Sequence, residues 1–362
     1  MYNLSVIIPM YNAADYIVNC VNAVLSQDLE GIEVIIVNDC STDESMNICR
    51  EHFGGNDNVI LINQPCNMGP GQARNTGIKR ARGKYVTFMD SDDGLRPGAY
   101  RAMYEAAQQK DADVLHVTGV LMQTVDEAPC DLNELSEDEV FRVTLDEGPK
   151  INELTVLTVD MQERLSKWLL HEIHWSIWNK LYKRDFLLCN DIVFGDMKFA
   201  EDQVFSFRCL CRADKYVMLP GEWYMYRIGS ESLSRGRRGA AFMIKALTSQ
   251  LNMPSCMKAA MAGVEYFDNN PAAQDKAIRY VFDALEKGFI IPTFKDAGED
   301  NLRSDAALCN VFTEYFGDNS YFAENQFYSA HANLPAGDNI YDMITSPAFW
   351  RAMKEKQTDA AK

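Results

Sequence analysis

Residues 85–94 read YVTFMDSDDG, and the fold follows from how that stretch divides. Tyr85 to Met89 is a short run of apolar and β-branched side chains, too brief for a helix and suited to a buried strand. It passes without a break into Asp90, Ser91, Asp92 and Asp93, so a carboxylate cluster stands at the carboxyl end of that strand. Alternation along an extended chain puts Asp90 and Asp92 on one side and turns Ser91 away. Two carboxylates so arranged suit magnesium or manganese, hard ions that take one or two carboxylates and leave phosphate oxygens and water to complete the shell. Asp-rich turns after strands are common, so turn chemistry alone also accounts for the cluster.

Working outward toward the N-terminus, the residues LSVIIP from Leu4 to Pro9 form a second β-branched run, closed by proline. Ala13 to Gln27 places Ile17, Cys20, Val21, Val24 and Leu25 at helical spacing, and Gly31 ends that helix before a strand from Glu33 to Val37. The pattern repeats: Ser41 to Phe53 as a helix capped by Ser41 or Thr42, Val59 to Asn63 as a strand, and Gly71 to Ala81 as a helix leading into Tyr85. Strand, helix, strand at these spacings is a right-handed parallel crossover, so an α/β sheet is being built. Ligands of such sheets bind beyond the carboxyl ends of the strands, where Asp39 and Asp90 to Asp93 fall.

In the other direction, Val114 to Val120 reads as a further strand, and the acidic stretch from Thr124 to Glu163, with Glu134, Glu137, Asp138 and Glu139 clustered, as an irregular solvated excursion. Leu165 to Leu188 regains apolar content and carries Trp168, Trp175 and Trp178, and Tyr216 to Arg227 looks extended. The basic, glycine-bearing turn at Ser234 to Gly239 marks a boundary. The reading is therefore one α/β domain over residues 1–235 and a mainly helical region over 236–362, with helices at Ala240 to Gly263 and Ala272 to Lys287. Met253, Met257 and Met261 recur at helical spacing there, as a core or dimer face or, alternatively, as a membrane-facing row.

Composition narrows the function. The 362 residues carry 35 Lys plus Arg against 52 Asp plus Glu, a formal net charge of −17. That average field repels phosphate polymers and anionic lipid, which argues against nucleic acid as a partner and against a broad electrostatic membrane anchor. A small anion can still bind through a local ion, backbone amides or one or two cations. The ten cysteines are scattered without a CxxC pair, which fits reduced thiols in a cytoplasmic protein. No stretch has the length of a membrane span, so the expected location is cytoplasmic, with peripheral contact at the inner membrane left open.

In order and spacing, VIIPMYN, VIIVNDCSTD, NMGPGQARNTGI and YVTFMDSDD, followed by WNKLYKRDFL, FAEDQVF and YMYRIGSESLS, resemble family 2 glycosyltransferases, particularly bacterial members acting in polysaccharide assembly. The resemblance spans roughly the first two thirds of the chain. It implies a GT-A fold with a mixed central sheet and an enzyme that moves a sugar from a nucleoside diphosphate, UDP above all, to a hydroxyl with inversion. Asp39 becomes the uracil reader, left freer for that role if Thr42 and Asp43 cap the following helix; its plainer reading is an Asx-turn. Pro9, Tyr11 and Asn12 line the base and ribose. Ala73, Arg74 and Asn75 stand at a helix start facing the nucleotide. Asp90, with Ser91 beside it, meets the nucleoside side of the donor, and Asp92 joins Asp90 in holding Mn2+ or Mg2+, with Asp93 a second ligand or a turn former.

The same resemblance makes Asp202 the base that receives the acceptor proton and Glu201 its orienting neighbour. Read alone, both acids are ordinary residues of a helix's first turn. Lys180, in the WNK segment beside Trp178 and Asn179, is expected to meet phosphate or acceptor, while Trp168 and Trp175 read as core. Arg227 with Ser232 and Ser234 resembles a loop that closes over the diphosphate. The third metal ligand stays open, His171 and His174 reading as ordinary side chains. Gly94 stands where relatives often carry a bulky residue, implying a more open sugar pocket. The partners implied are a nucleotide-sugar donor, a saccharide or lipid-linked saccharide acceptor and, through the C-terminal region, a second copy of the chain. The competing readings are a nucleotidyltransferase, for which the N-terminus lacks a phosphate-gripping basic loop, and a non-catalytic nucleotide-sugar binding protein.

Overall fold

The computed structural model describes residues 2–124, 141–144, 152–228 and 238–332. Two compact units divide the chain: Met1–Asp196 with Glu201–Ser232 and Gly263–Asp268, and Met197–Ala200 with Leu233–Ala262 and Asn269–Lys362.

The first unit opens with alternating strands and helices: β1 (Leu4–Met10), α1 (Ile17–Leu25), β2 (Ile32–Asn38), α2 (Ser45–Phe53), β3 (Val59–Asn63), α3 (Pro70–Arg80) and β4 (Tyr85–Phe88). It continues through β5 (Gly94–Leu95), α4 (Ala99–Lys110), β6 (Val114–Thr124), β7 (Phe141–Thr144), β8 (Thr155–Val156), α5 (Met161–Leu169), β9 (Lys180–Lys183), α6 (Arg184–Cys189), α7 (Glu201–Arg212) and β10 (Tyr216–Ile228). The strands form one sheet in the order β3-β2-β1-β4-β9-β6-β10-β5, with β7 on β6 and β8 on β10. β1, β2, β3 and β4 pair in parallel, β9 runs antiparallel to β4 and β6, and β10 pairs β6 in parallel and β5 antiparallel. The α/β class and mixed sheet expected above are both present.

β1 and β2 are buried along their whole length, which is why they read as unbroken apolar runs rather than alternating ones. Pro9 is tolerated inside the sheet because β1 pairs with β4 only from Leu4 to Ile7, so its missing N–H falls beyond the last pair on that side. Helix α3 lies close on this layer. A Cβ at Gly77 would stand 2.3 Å from the Cγ2 of Ile7, so only a bare backbone lets the helix settle there.

Three expectations need correction. Neither Ser41 nor Thr42 caps α2: the Ser41 hydroxyl accepts from the Asn12 amide at 3.0 Å and the Thr42 amide donates to Asn12 Oδ1 at 2.8 Å. Both are drawn off to the first loop, and the helix starts at Ser45. The acidic stretch is not irregular throughout, since β7, β8 and the start of α5 fall in it, α5 being capped by Asp160, whose Oδ1 accepts from the Glu163 amide at 3.0 Å. Glu134, Glu137, Asp138 and Glu139 lie outside the described residues, as does most of Ser234 to Gly239. Trp168 is buried core, but Trp175 is only half-buried.

The short helix α9 (Glu265–Asp268) belongs to the first unit. The second unit is helical: α8 (Ala240–Met261), α10 (Pro271–Leu285), a π turn at Glu286–Ile290, α11 (Ile291–Ala297), α12 (Glu299–Arg303), α13 (Ala306–Phe316) and α14 (Ser320–Ala332). Met253, Met257 and Met261 are fully buried in it, so the methionine row is core and not a membrane-facing surface. Phe294, Phe312, Phe327 and Tyr328 pack together nearby, and a buried Gln250–Glu286–His331 chain supplies the polar contact, with His331 Nε2 2.6 Å from Glu286 Oε1. Among the described residues no helix is long and apolar enough to cross a membrane.

Candidate active site

The strand carrying the aspartates ends sooner than the sequence suggests. β4 stops at Phe88, and the Asp93 amide donates to the Asp90 carbonyl at 3.2 Å, closing a turn. Strand alternation therefore does not reach the cluster. Asp93 points inward. It is buried, its Oδ2 accepts from the Tyr224 hydroxyl at 2.6 Å and its Oδ1 from the Arg227 amide at 2.8 Å. Burial, then the charges of Asp92 and Asp90, push its carboxyl well above the usual range. Asp93 is thus the anchor of the turn and not a second metal ligand. Arg227 serves the same turn, its Nε donating to the Asp92 carbonyl at 2.9 Å and its guanidinium lying 5.0 Å from the Tyr16 ring centre. Ser232 and Ser234, expected beside it, lie outside the described residues. Asp90, Ser91 and Asp92 stay partly exposed.

Arg74 joins this turn to the FAED segment, whose Glu201 lies 127 residues beyond Arg74 in sequence. From the first turns of α3 its Nη2 meets Asp90 Oδ1 at 2.8 Å and its Nη1 meets Glu201 Oε1 at 3.2 Å. Phe194 lies under the guanidinium at 5.5 Å, stacks on Phe205 of α7 at 4.0 Å and meets Phe88 at the end of β4. These rings fasten the carboxylate turn and the first turn of α7 to one apolar base. Gly71 allows the approach, since a Cβ there would stand 3.2 Å from both Glu201 Cγ and Phe194 Cβ.

The electrostatics are lopsided toward negative charge. Burial works against the charge of Arg74, but Asp90, Glu201 and Asp202 outweigh it and hold the guanidinium more firmly protonated than usual. Glu201 is pushed above the ordinary carboxylate range by burial and by Asp202, with Arg74 pulling the other way. Asp202 is raised as well, by burial first, and accepts from the Gln203 amide at 2.8 Å. Arg74 Nε is buried and meets no acceptor among the described residues.

The remaining expected residues divide. Tyr11 is exposed at the end of β1, and Asn12, at φ 51°, bridges to Thr42. Asp39 ends β2 in the expected place but is not free. Its Oδ1 accepts from Gln64 Nε2 at 3.0 Å and the Met68 amide at 2.8 Å, and its Oδ2 from the Gly69 amide at 2.7 Å, where Gly69 takes φ 91°. The carboxylate thereby latches the loop that leads into α3. Ala73 is wholly buried, and Asn75 exchanges hydrogen bonds with the Phe194 backbone at 2.8 and 2.9 Å, so of the three residues expected to face a nucleotide from α3 only Arg74 reaches the carboxylates. Lys180 is buried, its ammonium donating to the carbonyls of His174 and Ser176 and to Asn179 Oδ1, which removes it from phosphate or acceptor. Sequence reasoning missed Tyr224, Phe194 and Gln64. Tyr224 lies in the YMYR segment already singled out, but tyrosine in a strand carries no signal that separates an anchor from core.

Among the described residues no three His, Cys, Asp or Glu side chains stand together to hold a metal ion. The neighbouring, partly exposed carboxylates of Asp90 and Asp92 nevertheless fit magnesium or manganese as those ions are held beside diphosphates, with few protein ligands and the rest from phosphate and water.

A mixed α/β sheet with a carboxylate turn at the end of an inner strand defines the GT-A class of nucleotide-diphospho-sugar transferase folds, and the comparisons with known proteins agree. The model of the family described as Glycosyl transferase family 2 matches residues 5–128. Over 233 residues the chain is 32% identical to the uncharacterized glycosyltransferase EpsJ of Bacillus subtilis (strain 168), an alignment covering 64% of this chain and 62% of that protein's length. It is 31% identical over 233 residues to glycosyltransferase GlyG of Streptococcus pneumoniae serotype 4, covering 64% of this chain and 73% of that one. The crystal structure of S. aureus TarS 1-349 in complex with UDP shares the fold at TM-score 0.58 and 18% identity, over 99% of this chain and 92% of that one. The chain belongs to glycosyl transferase family 2.

Proposed function

We propose that the chain is a metal-dependent, inverting glycosyltransferase that moves a sugar from UDP to a hydroxyl acceptor in bacterial cell-surface polysaccharide or glycolipid synthesis. The observation that carries this reading is the double ion pair of Arg74, which gathers the aspartate turn and the Glu201–Asp202 pair around one buried guanidinium. Solved TarS structures with UDP and with UDP-GlcNAc, which share the fold, support UDP as the nucleotide.

In this reading Asp92 and Asp90 hold Mn2+ or Mg2+, which when bound supplies positive charge against the negative charge growing on the leaving diphosphate. Asp202 takes the proton of the attacking hydroxyl at a carboxylate oxygen, and its raised proton affinity makes it a stronger base than a solvated aspartate. Glu201 orients that end of the site through Arg74. Tyr11 and the Asp39 latch flank the uridine, Asp39 having one carboxylate lone pair beyond its three donors. The reaction takes place in the cytoplasm, in keeping with described cysteines that are all free thiols.

Titration calorimetry with UDP tests the donor half. Binding is expected to need Mn2+ and to vanish in Asp92→Ala; equal affinity with and without the ion, in both proteins, would sink the metal assignment.

A further inference from the structure

One hydroxyl reaches both ends of the aspartate turn. β10 pairs antiparallel with β5, Tyr224 opposite Leu95, so the backbone of Tyr224 lies beside the exit of the turn. Its side chain comes back to the turn itself. Tyr224 Oη accepts from the Asp90 amide at 3.1 Å and donates to Asp93 Oδ2 at 2.6 Å, a second closure beside the 3.2 Å bond from the Asp93 amide to the Asp90 carbonyl. The Asp90 carbonyl also accepts from Cys20 Sγ at 3.4 Å, and the Asp92 carbonyl accepts from Arg227 Nε at 2.9 Å. Tyr224 is itself held, being buried, with the Trp178 ring centre 4.4 Å from its own and 19° between the planes.

We propose that Tyr224 is a positioning residue that sets the spacing of the Asp90 and Asp92 carboxylates, and with it a preference for a small, octahedral divalent ion over a larger one. This rests on reading those two carboxylates as the protein ligands of the ion. Both are partly exposed, so packing restrains them less than the main chain that carries them. Cys20, Arg227 and Tyr224 grip that main chain, and of the three Tyr224 is the one that spans the turn from Asp90 to Asp93. Magnesium demands near-ideal octahedral geometry with short bonds to oxygen, whereas calcium accepts more ligands at longer and more variable distances. A fixed turn therefore suits the small ion, and a turn free to adjust serves calcium nearly as well. Removing the hydroxyl also strands a buried carboxylate oxygen and a main-chain amide that it now satisfies, which makes the loosening costly.

The test is UDP binding by the full chain, followed by calorimetry in Mg2+, Mn2+ or Ca2+, for wild type and for Tyr224→Phe, which keeps the stacked ring and removes one oxygen. Wild type is expected to bind UDP more tightly with Mg2+ or Mn2+ than with Ca2+. In Tyr224→Phe the affinity with the better of the two small ions should fall about tenfold, and with Ca2+ less than about threefold, so that the gap narrows. An unchanged affinity overturns the proposal. An equal loss with every ion, the mark of general damage to the fold, does the same, as does a wild type that binds UDP as tightly with Ca2+ as with the small ions. Should Tyr224→Phe fail to fold, Asp93→Asn takes its place. It keeps an oxygen for the Arg227 amide but turns a donor toward the Tyr224 hydroxyl, and the same narrowing is expected, its absence being a refutation. UDP binding by wild type that needs no ion would instead reject the metal reading, and no UDP binding under any condition would reject the donor reading.

Discussion

The two edges of the central sheet treat charge in opposite ways. At the amino edge, Glu33 of β2 is fully buried, and its carboxylate accepts from the Ser5 hydroxyl at 2.6 Å, the Arg82 amide at 2.6 Å and Arg82 Nε at 2.8 Å, with Arg82 Nη2 at 2.7 Å. One anion there meets a full set of donors. At the carboxyl edge, Arg74 stands among Asp90, Glu201 and Asp202, with Asp92 and Asp93 on the adjoining turn, and the surplus is negative. A satisfied edge holds a fold together; an edge left with too many acids suits the cation and the proton that the proposed function requires.

Substitutions on the two edges should therefore separate activity from stability. The largest effect is expected for Asp202→Asn, which should cut transfer by about 10²–10⁴-fold, as for loss of a general base, while UDP affinity stays unchanged. Equal transfer rates in variant and wild type would remove the base assignment. Next comes Glu33→Ala, expected to lower unfolding stability by about 3 kcal/mol, at the lower end for a broken buried pair because Arg82 is half exposed. Its UDP affinity in the folded protein should not move, which denaturant melts with and without UDP will show.

Arg74→Met should fall between the two, with weakened transfer and a stability loss of about 1–2 kcal/mol at neutral pH. Without the guanidinium, the folded pKa of Glu201 rises further above its unfolded value. A group of that kind contributes stability at low pH and loses it as pH rises through the folded pKa, so the deficit should shrink in mildly acid buffer. A deficit that grows in acid would contradict the stated electrostatics. The smallest effect is the pH profile of wild type: activity should climb with pH as Asp202 ionises, along a limb displaced above the range of a solvated aspartate.

Much of this was legible beforehand because it depends on short-range pattern. The β-branched runs at Leu4 to Pro9 and Tyr85 to Met89 became inner strands, and Asp39, Asp90 and Glu201 fell at element ends, as the crossover pattern requires. What escaped was set by partners distant in sequence. Whether the aspartates continue a strand or close a turn depends on Tyr224 and Arg227. Whether Asn75 faces a ligand or its own protein depends on Phe194, and nothing local to a lysine in WNKLYK says that three acceptors of its own loop surround it. Burial of Ala73 and Lys180 is a property of the assembled layers, which periodicity in one segment cannot report.

Gly77 and Ile7 touch nothing that reacts, yet their contact works as a shim. The height of α3 over the sheet is fixed by a missing methyl group, and Arg74 rides on the preceding turn of the same rigid rod. Thickening that contact by one carbon, as in Gly77→Ala, would lift the rod and carry the guanidinium out of register with its two acids. The position of the guanidinium between its two acids is thus gauged one turn further along the helix, where a search for reactive groups would never look.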